Sequence, residues 1–118
     1  MVSIDQLAEA ALAGEALRLR QLTQDWLREN PRQTDCPSPV SENPDIRVIA
    51  AALVELFAQR SAQAPPPWSA SIGAMREPFF LLKSAGTMRR WRELCEAESP
   101  LPLRSRNLFA PANFLLFA

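Results

Sequence analysis

Few side chains in this sequence are of the kinds that carry catalysis. It contains no histidine and no tyrosine, and its two cysteines, Cys36 and Cys95, lie far apart. Histidine is the commonest general base and the usual activator of a cysteine nucleophile. Cys36 stands beside Asp35, whose charge raises the pKa of a nearby thiol, and Cys95 falls on the apolar side of a predicted helix. We therefore expect neither cysteine to be a nucleophile.

Carboxylates are the remaining candidates for acid–base chemistry, and they are densest at Glu93, Glu96 and Glu98. Arg89 and Arg92 precede two of them by one helical turn, which is the spacing of ion pairs on the solvent side of a helix. No glycine-rich phosphate loop and no zinc-type cysteine spacing is present. The sequence predicts no enzyme, no cofactor and no metal site; a small enzyme that uses only carboxylates is the alternative.

The charge pattern does not favour nucleic acid as a partner. The net charge is zero, with a formal charge of −3 on residues 1–60 and +3 on the remainder. The run from Arg89 to Arg92 is the best candidate phosphate patch, but three acids follow it at once. Ala10 and Gly14 have the spacing of a helix-turn-helix turn, yet few base-reading side chains follow them. Nucleic-acid binding is therefore not expected.

The length and composition predict one folded domain over residues 1–118. The chain is 47% hydrophobic and 22% charged, which is ordinary for a globular protein of 118 residues. We expect an all-α fold of five or six short helices, joined by proline-rich connections and ending in an irregular, apolar C-terminal strap.

Start and stop signals locate the helices. Ser3 and Gln6 form a capping box for the first helix, and Gly14 marks a break before a second helix that ends at Asn30. Pro44 suits the first position of a third helix. This third helix is predicted to span residues 44–61. A further helix is predicted over 87–98, and a short helical turn over 100–106. In the helix over 87–98, four residues are predicted to face the protein interior: Met88, Trp91, Leu94 and Cys95.

The intervening segments are predicted to be connections. Residues 31–44 and 63–71 are rich in proline and are expected to be exposed, the second in an extended conformation to Trp68. A helical turn is expected near residues 71–75. Residues 79–82 form a brief apolar run that is either a buried strand or a short buried helix. The helix is favoured because no second strand candidate is evident.

The strap is the segment Glu98–Ala118. It combines prolines, arginines and large apolar residues at a chain end, where most proteins are polar and frayed. It must pack over the protein's own helices or dock on a partner. Prolines at positions 100, 102 and 111 exclude one continuous helix. Most of the aromatic residues of the chain lie in its second half, residues 61–118. Aromatic residues together with arginines are typical of interface hot spots.

The C-terminal pattern resembles that of small bacterial antitoxin-like proteins. The matching elements are Glu98-Ser99-Pro100, Pro102-Leu103, the spaced Arg104 and Arg106, Leu108-Phe109 and Asn113-Phe114-Leu115. The resemblance covers about a quarter of the chain. It implies a non-catalytic bacterial protein that binds a protein partner, such as a nucleotidyltransferase-type toxin. The expected helix-turn-helix of many such proteins is lacking here, which leaves neutralisation or scaffolding by protein contact.

On this interpretation the partner-binding residues are Arg104, Arg106, Phe109 and Phe114. Deleting residues 107–118 is then expected to abolish partner binding and to leave the helices intact. The alternative is a self-associating structural domain whose tail swaps between two copies in a homodimer.

The sequence predicts a cytoplasmic protein without a membrane segment. The N-terminus has no basic region, its apolar stretch is interrupted by Asp5 and Glu9, and no apolar run reaches bilayer length. Free thiols at Cys36 and Cys95 are the expectation in a reducing compartment, with one long-range disulfide as the alternative.

Overall fold

The chain folds into helices with one minimal pair of strands, in a computed structural model that describes residues 2–81 and 89–116. The α-helices within these ranges are α1 (Ile4–Ala13), α2 (Ala16–Glu29), α3 (Pro44–Arg60), α4 (Arg89–Glu98) and α5 (Leu101–Arg104). Two 3₁₀ helices, Gln33–Asp35 and Pro67–Ser71, and two short strands, β1 (Phe79–Phe80) and β2 (Leu108–Phe109), complete the described elements. The predicted all-α fold is confirmed.

Local chemistry sets the corner between α1 and α2. The Ser3 hydroxyl accepts from the Gln6 amide at 3.4 Å, and the Gln6 side chain accepts from the Ser3 amide at 2.9 Å. Gly14 ends α1 with φ 76°, a left-handed conformation that costs a residue with a Cβ more than it costs glycine. Both the capping box and the break at Gly14 are as predicted.

Helix α3 is the centre of the molecule. Pro44 occupies its first turn, and the Asn43 side chain caps it by accepting from the Asp45 amide at 3.0 Å. From Val48 to Ala58 every residue except Glu55 is buried. Helix α3 packs against α1, α5 and both 3₁₀ helices, so most other elements are positioned by it.

The two proline-rich connections are less exposed than predicted. Gln33, Cys36 and Pro39 are buried in the first, and Pro66 and Ser69 in the second. The first is also tied to the second, because Gln63 accepts from the Gln33 amide and the Trp68 indole donates to the Cys36 carbonyl. Both connections therefore form part of the packed structure.

From the third of the three successive prolines onward the segment is helical, where an extended conformation to Trp68 was predicted. A 3₁₀ helix spans Pro67–Ser71, and the helical turn predicted over residues 71–75 is not present. Proline fixes φ near the helical value, and the Ser69 and Ser71 hydroxyls donate to carbonyls three residues earlier, at 2.9 and 2.8 Å. These local bonds favour a tight turn directly after the polyproline run.

The prediction of a short helix near residue 79 is wrong. Phe79 and Phe80 form β1, which pairs in parallel with β2 so that Phe79 lies opposite Leu108 and Phe80 opposite Phe109. The Phe79 amide donates to Asn107 and the Leu81 amide to Phe109, both at 3.0 Å. The second strand that seemed to be lacking lies in the C-terminal segment. Leu82 of the predicted run lies outside the described residues.

Candidate functional site

Arg106 was predicted to bind a partner at the surface, but its side chain is buried within the chain's own fold. Only 8% of the residue is exposed. Its guanidinium forms a two-pronged ion pair with Glu55 of α3, through Nη1 to Oε1 and through Nη2 to Oε2, the latter at 3.0 Å. Nη2 also donates to the Ser69 carbonyl at 2.8 Å and approaches the Ile72 carbonyl at 3.4 Å. The Arg106 side chain is therefore not available at the surface of this structure.

The Arg106 contacts connect three parts of the chain. They hold the segment after α5 to α3 and to the second 3₁₀ helix. A planar guanidinium suits this position, because it can meet a carboxylate with two donors and a carbonyl with another. We call this set of contacts between Arg106, Glu55 and Ser69 the clamp.

Phe114 is likewise part of the interior. It is 6% exposed and belongs to the core cluster together with Leu108 and Ala110. The carbonyl of Phe114 accepts from Arg60 Nη1 at 2.6 Å, and that of Ala112 accepts from Nη2 at 3.1 Å. The strap therefore packs over the helices of its own chain.

Phe109 and Arg104 remain accessible. Phe109 is half-buried and its ring lies 5.5 Å from that of Phe80, while the Arg92 guanidinium lies 5.6 Å from the centre of the Phe80 ring. Arg104 is exposed in the last turn of α5, and its guanidinium has no ion-pair partner among residues 2–81 and 89–116. The predicted site residues are thus divided between a core pair, Arg106 and Phe114, and a surface pair.

Three large apolar side chains of α4 and α5 are also exposed. Trp91 is 42% exposed, Leu94 38% and Leu101 63%. Trp91 and Leu94 were predicted to face inward, but Cys95 is the one residue of α4 that is buried. Met88, which was also predicted to face inward, lies outside the described residues. We define the C-terminal face as the exposed residues Arg90, Trp91, Leu94, Leu101 and Arg104.

The charged residues of α4 explain part of this difference. Arginines or glutamates occur on all sides of the helix, so no side is purely apolar. The one deeply buried position, Cys95, requires only a small side chain at the contact with the rest of the protein. In so highly charged a helix, apolar residues at helical spacing indicate that the helix contacts the protein over a small area. The spacing alone does not show that every apolar residue faces inward.

The two thiols are free and buried. Burial, with a smaller contribution from Asp5, raises the pKa of Cys36 to about 11. The carboxylate responsible is Asp5 of α1, which accepts from the Val40 amide at 3.0 Å, and not the exposed neighbour Asp35. Burial also raises the pKa of Cys95, with smaller contributions from Glu98 and Glu96. Both thiols are therefore protonated at neutral pH.

Cys36 and Asp5 border a pocket of about 410 Å³ between the start of α1, the end of α2 and the first connection. A second pocket, of about 370 Å³, lies where α1 and α2 meet the strap and is mostly apolar. Among the described residues, no group of three or more histidine, cysteine, aspartate or glutamate side chains is arranged to hold a metal ion. Each helix in the same ranges is too short or too polar to cross a lipid bilayer.

Sequence reasoning missed Glu55, although the sequence contains a signal for it. Glu55 is the single charged residue between Val48 and Ala58, in a stretch of α3 that is otherwise apolar. A buried carboxylate needs a cation or hydrogen-bond donors, so a lone acid in such a stretch predicts a buried arginine or lysine elsewhere. The identity of that partner depends on the tertiary fold.

Comparison of the chain with protein-family models, with curated proteins and with solved structures found no match.

Proposed function

We propose that this chain is a non-catalytic protein-interaction domain that works by burying the C-terminal face against another protein chain. The observation that carries the proposal is the exposure of Trp91, Leu94 and Leu101. Tryptophan and arginine, both present on this face, are of the residue types that dominate the binding energy of protein interfaces.

The arrangement of the face supports this proposal in preference to simple surface exposure. Within residues 2–81 and 89–116, the other exposed large apolar residues, Leu17, Val40 and Leu116, lie on different elements of the fold. On α4 and α5, in contrast, the apolar side chains lie close in sequence and are accompanied by Arg90 and Arg104. A partner with acidic side chains around an apolar centre would complement this surface.

In its antitoxin-like form, the proposal places the protein in a bacterial cytoplasm, where the face would cover a toxin. The support for this form is the C-terminal pattern described above, together with two free thiols of the kind found in reducing compartments. Arg104 and Phe109 are retained as partner-binding residues in this form, whereas Arg106 and Phe114 act indirectly by holding the strap.

The proposal is tested by comparing two double variants as bait in an affinity purification from the native host. Trp91→Glu/Leu101→Glu changes the C-terminal face, and Leu17→Glu/Val40→Glu makes the same chemical change at exposed apolar positions elsewhere. Proteins retained by the wild type and by the control, but not by the face variant, are then purified and titrated against all three chains.

We expect the face variant to bind such a partner at least about tenfold more weakly than the wild type, because hot-spot residues lie near the centre of an interface. The control variant is expected to bind as the wild type does. Equal affinity of all three chains, or an equal loss in the control, would contradict the proposal. A wild-type chain that retains no protein specifically would contradict its antitoxin-like form.

A further inference from the structure

The order of charges along α4 is unusual for a helix. Its first half carries Arg89, Arg90 and Arg92, and its second half carries Glu93, Glu96 and Glu98. The helix dipole favours acidic side chains at the N-terminus and basic ones at the C-terminus, which is the reverse order. Within a helix, an arginine that precedes a glutamate by four residues is also the weaker orientation of such a pair. The stability of α4 alone does not explain this charge order.

The charges separate into two sides of the helix. With 3.6 residues per turn, positions 89, 92, 93 and 96 fall on one side, where Arg89 pairs with Glu93 at 3.2 Å and Arg92 with Glu96 at 3.9 Å. The other side carries a stripe formed by Arg90, Trp91, Leu94, Ala97 and Glu98, all of them exposed. In residues 2–81 and 89–116, Arg90 and Glu98 have no ion-pair partner.

This stripe is complementary to itself when it is reversed. Arg90, Leu94 and Glu98 follow one another at four-residue intervals and form one row along the helix. When two such rows pack antiparallel about a two-fold axis at Leu94, Arg90 of each chain lies opposite Glu98 of the other. The two Leu94 side chains would meet on the axis. A parallel arrangement would instead bring like charges together at each end.

We propose that the α4 stripe is a homodimer interface, in which α4 pairs antiparallel with α4 of a second copy of this chain. This inference rests on the proposed function, since it names the occupant of the α4 part of the C-terminal face. Leu101 and Arg104 of α5 lie outside the stripe and remain for a different protein. A closed two-fold dimer requires such a self-complementary patch, and charge complementarity selects the second copy as the occupant.

The test is a charge-exchange experiment monitored by light scattering and sedimentation over a range of protein concentrations. The wild type is expected to approach twice the chain mass of 13.2 kDa as its concentration rises. Arg90→Glu and Glu98→Arg should each weaken the dimer by about tenfold or more, because each places like charges opposite one another. An equimolar mixture of the two variants should dimerise again, because each variant then faces the opposite charge at both ends.

Arg89→Glu is the matched control, since it changes the same charge on the opposite side of the helix and should leave dimerisation within about threefold of the wild type. All the substituted residues are exposed, and far-ultraviolet circular dichroism confirms that each variant is folded. A wild type that keeps the monomer mass at several hundred micromolar would overturn the inference. So would a mixture that stays monomeric, or a control that dissociates as Arg90→Glu does.

The two proposals can fail separately. A monomeric wild type whose partner binding is still lost in Trp91→Glu/Leu101→Glu removes the dimer and leaves the proposed function. The opposite result is also possible: partner binding is unaffected by that double change, while dimerisation follows the charge-exchange pattern. The dimer is then supported, and the heterologous partner does not bind at this face.

Discussion

At the scale of single residues, Arg106 shows how far a side chain's role depends on its surroundings. Arg106 lies in a proline-rich segment whose arginines were predicted to be exposed. Its guanidinium instead contacts Glu55, Ser69 and Ile72. Arg104, two residues earlier, is exposed at the end of a helix. The same residue type therefore holds the fold together at one position and contributes to the surface at the other.

Replacement of Arg106 by methionine is expected to lower the free energy of unfolding by about 3 kcal/mol, because it leaves the Glu55 carboxylate, whose side chain is 19% exposed, without its partner. The double variant Glu55→Leu/Arg106→Met should recover most of that loss, although the Ser69 carbonyl still loses a donor. Urea unfolding of the two single variants and the double variant measures the coupling. Single variants that cost less than about 1 kcal/mol would show that the clamp is solvated.

At the scale of elements, the corner between α1 and α2 is determined by one backbone angle. Gly14 adopts φ 76° and its amide donates back to the end of α1, so the chain reverses within a very short link. The corner brings α2 against α1, which in turn packs on α3. The position of the first two helices therefore depends on a residue without a side chain.

Gly14→Ala is expected to destabilise the protein by about 1 kcal/mol or slightly more, because alanine is strained in the left-handed region. Gly73→Ala is the matched control: nothing lies within 4 Å of the added Cβ, and its φ is outside that region. The control should be neutral or stabilising by up to about 1 kcal/mol through the unfolded state. Thermal unfolding of both variants tests the difference, and equal midpoints would contradict the role assigned to Gly14.

At the scale of the whole molecule, the strap is a structural component of the core. It contributes Leu108, Ala110 and Phe114 to the buried cluster, and β2 to the strand pair. We therefore no longer expect the helices to remain intact when residues 107–118 are removed. Their removal would expose the surfaces of α3 and β1 that they cover, so a loss of binding in such a truncation would not identify a binding site.

Phe114→Ala is a milder test of the same point, and it is expected to cost about 3–5 kcal/mol through lost burial and the cavity left behind. Leu116→Ala, two residues later at a position that is 58% exposed, should change stability by less than about 0.5 kcal/mol. Denaturant unfolding of the two variants gives both values. A Phe114 variant as stable as the Leu116 variant would show that the strap is only loosely attached.

The parts of the fold that were predictable are those whose causes are local. The capping box at Ser3, the break at Gly14 and the start of α3 at Pro44 each depend on a few neighbouring residues. The strand at Phe79 was not predictable in this way, because its partner lies in β2, far along the chain. The two-sided charge pattern of α4 is visible in the sequence, whereas the exposure of Trp91 required the fold.

The same distinction applies to the candidate site. Arg104 and Phe109 were identified from residue type and remain accessible, while Arg106 and Phe114 were identified by the same reasoning and are buried. Nothing in the local sequence distinguishes the two pairs. The difference arises from Glu55, which pairs with Arg106, and from the core cluster that Phe114 joins.

The clamp also has a consequence for the order of events during folding. Helices α1, α2 and α3 all lie within residues 4–60 and contact one another. The contacts of the strap instead join this part of the chain to its end, because Glu55 and Arg106 are separated by 51 residues and Arg60 and Phe114 by 54. Helices form in about a microsecond or less, whereas closing a long segment of chain carries an entropic cost that grows with its length. We expect Glu55 to remain hydrated on an incomplete core until the strap arrives, so that the last contacts in the sequence are also the last in time.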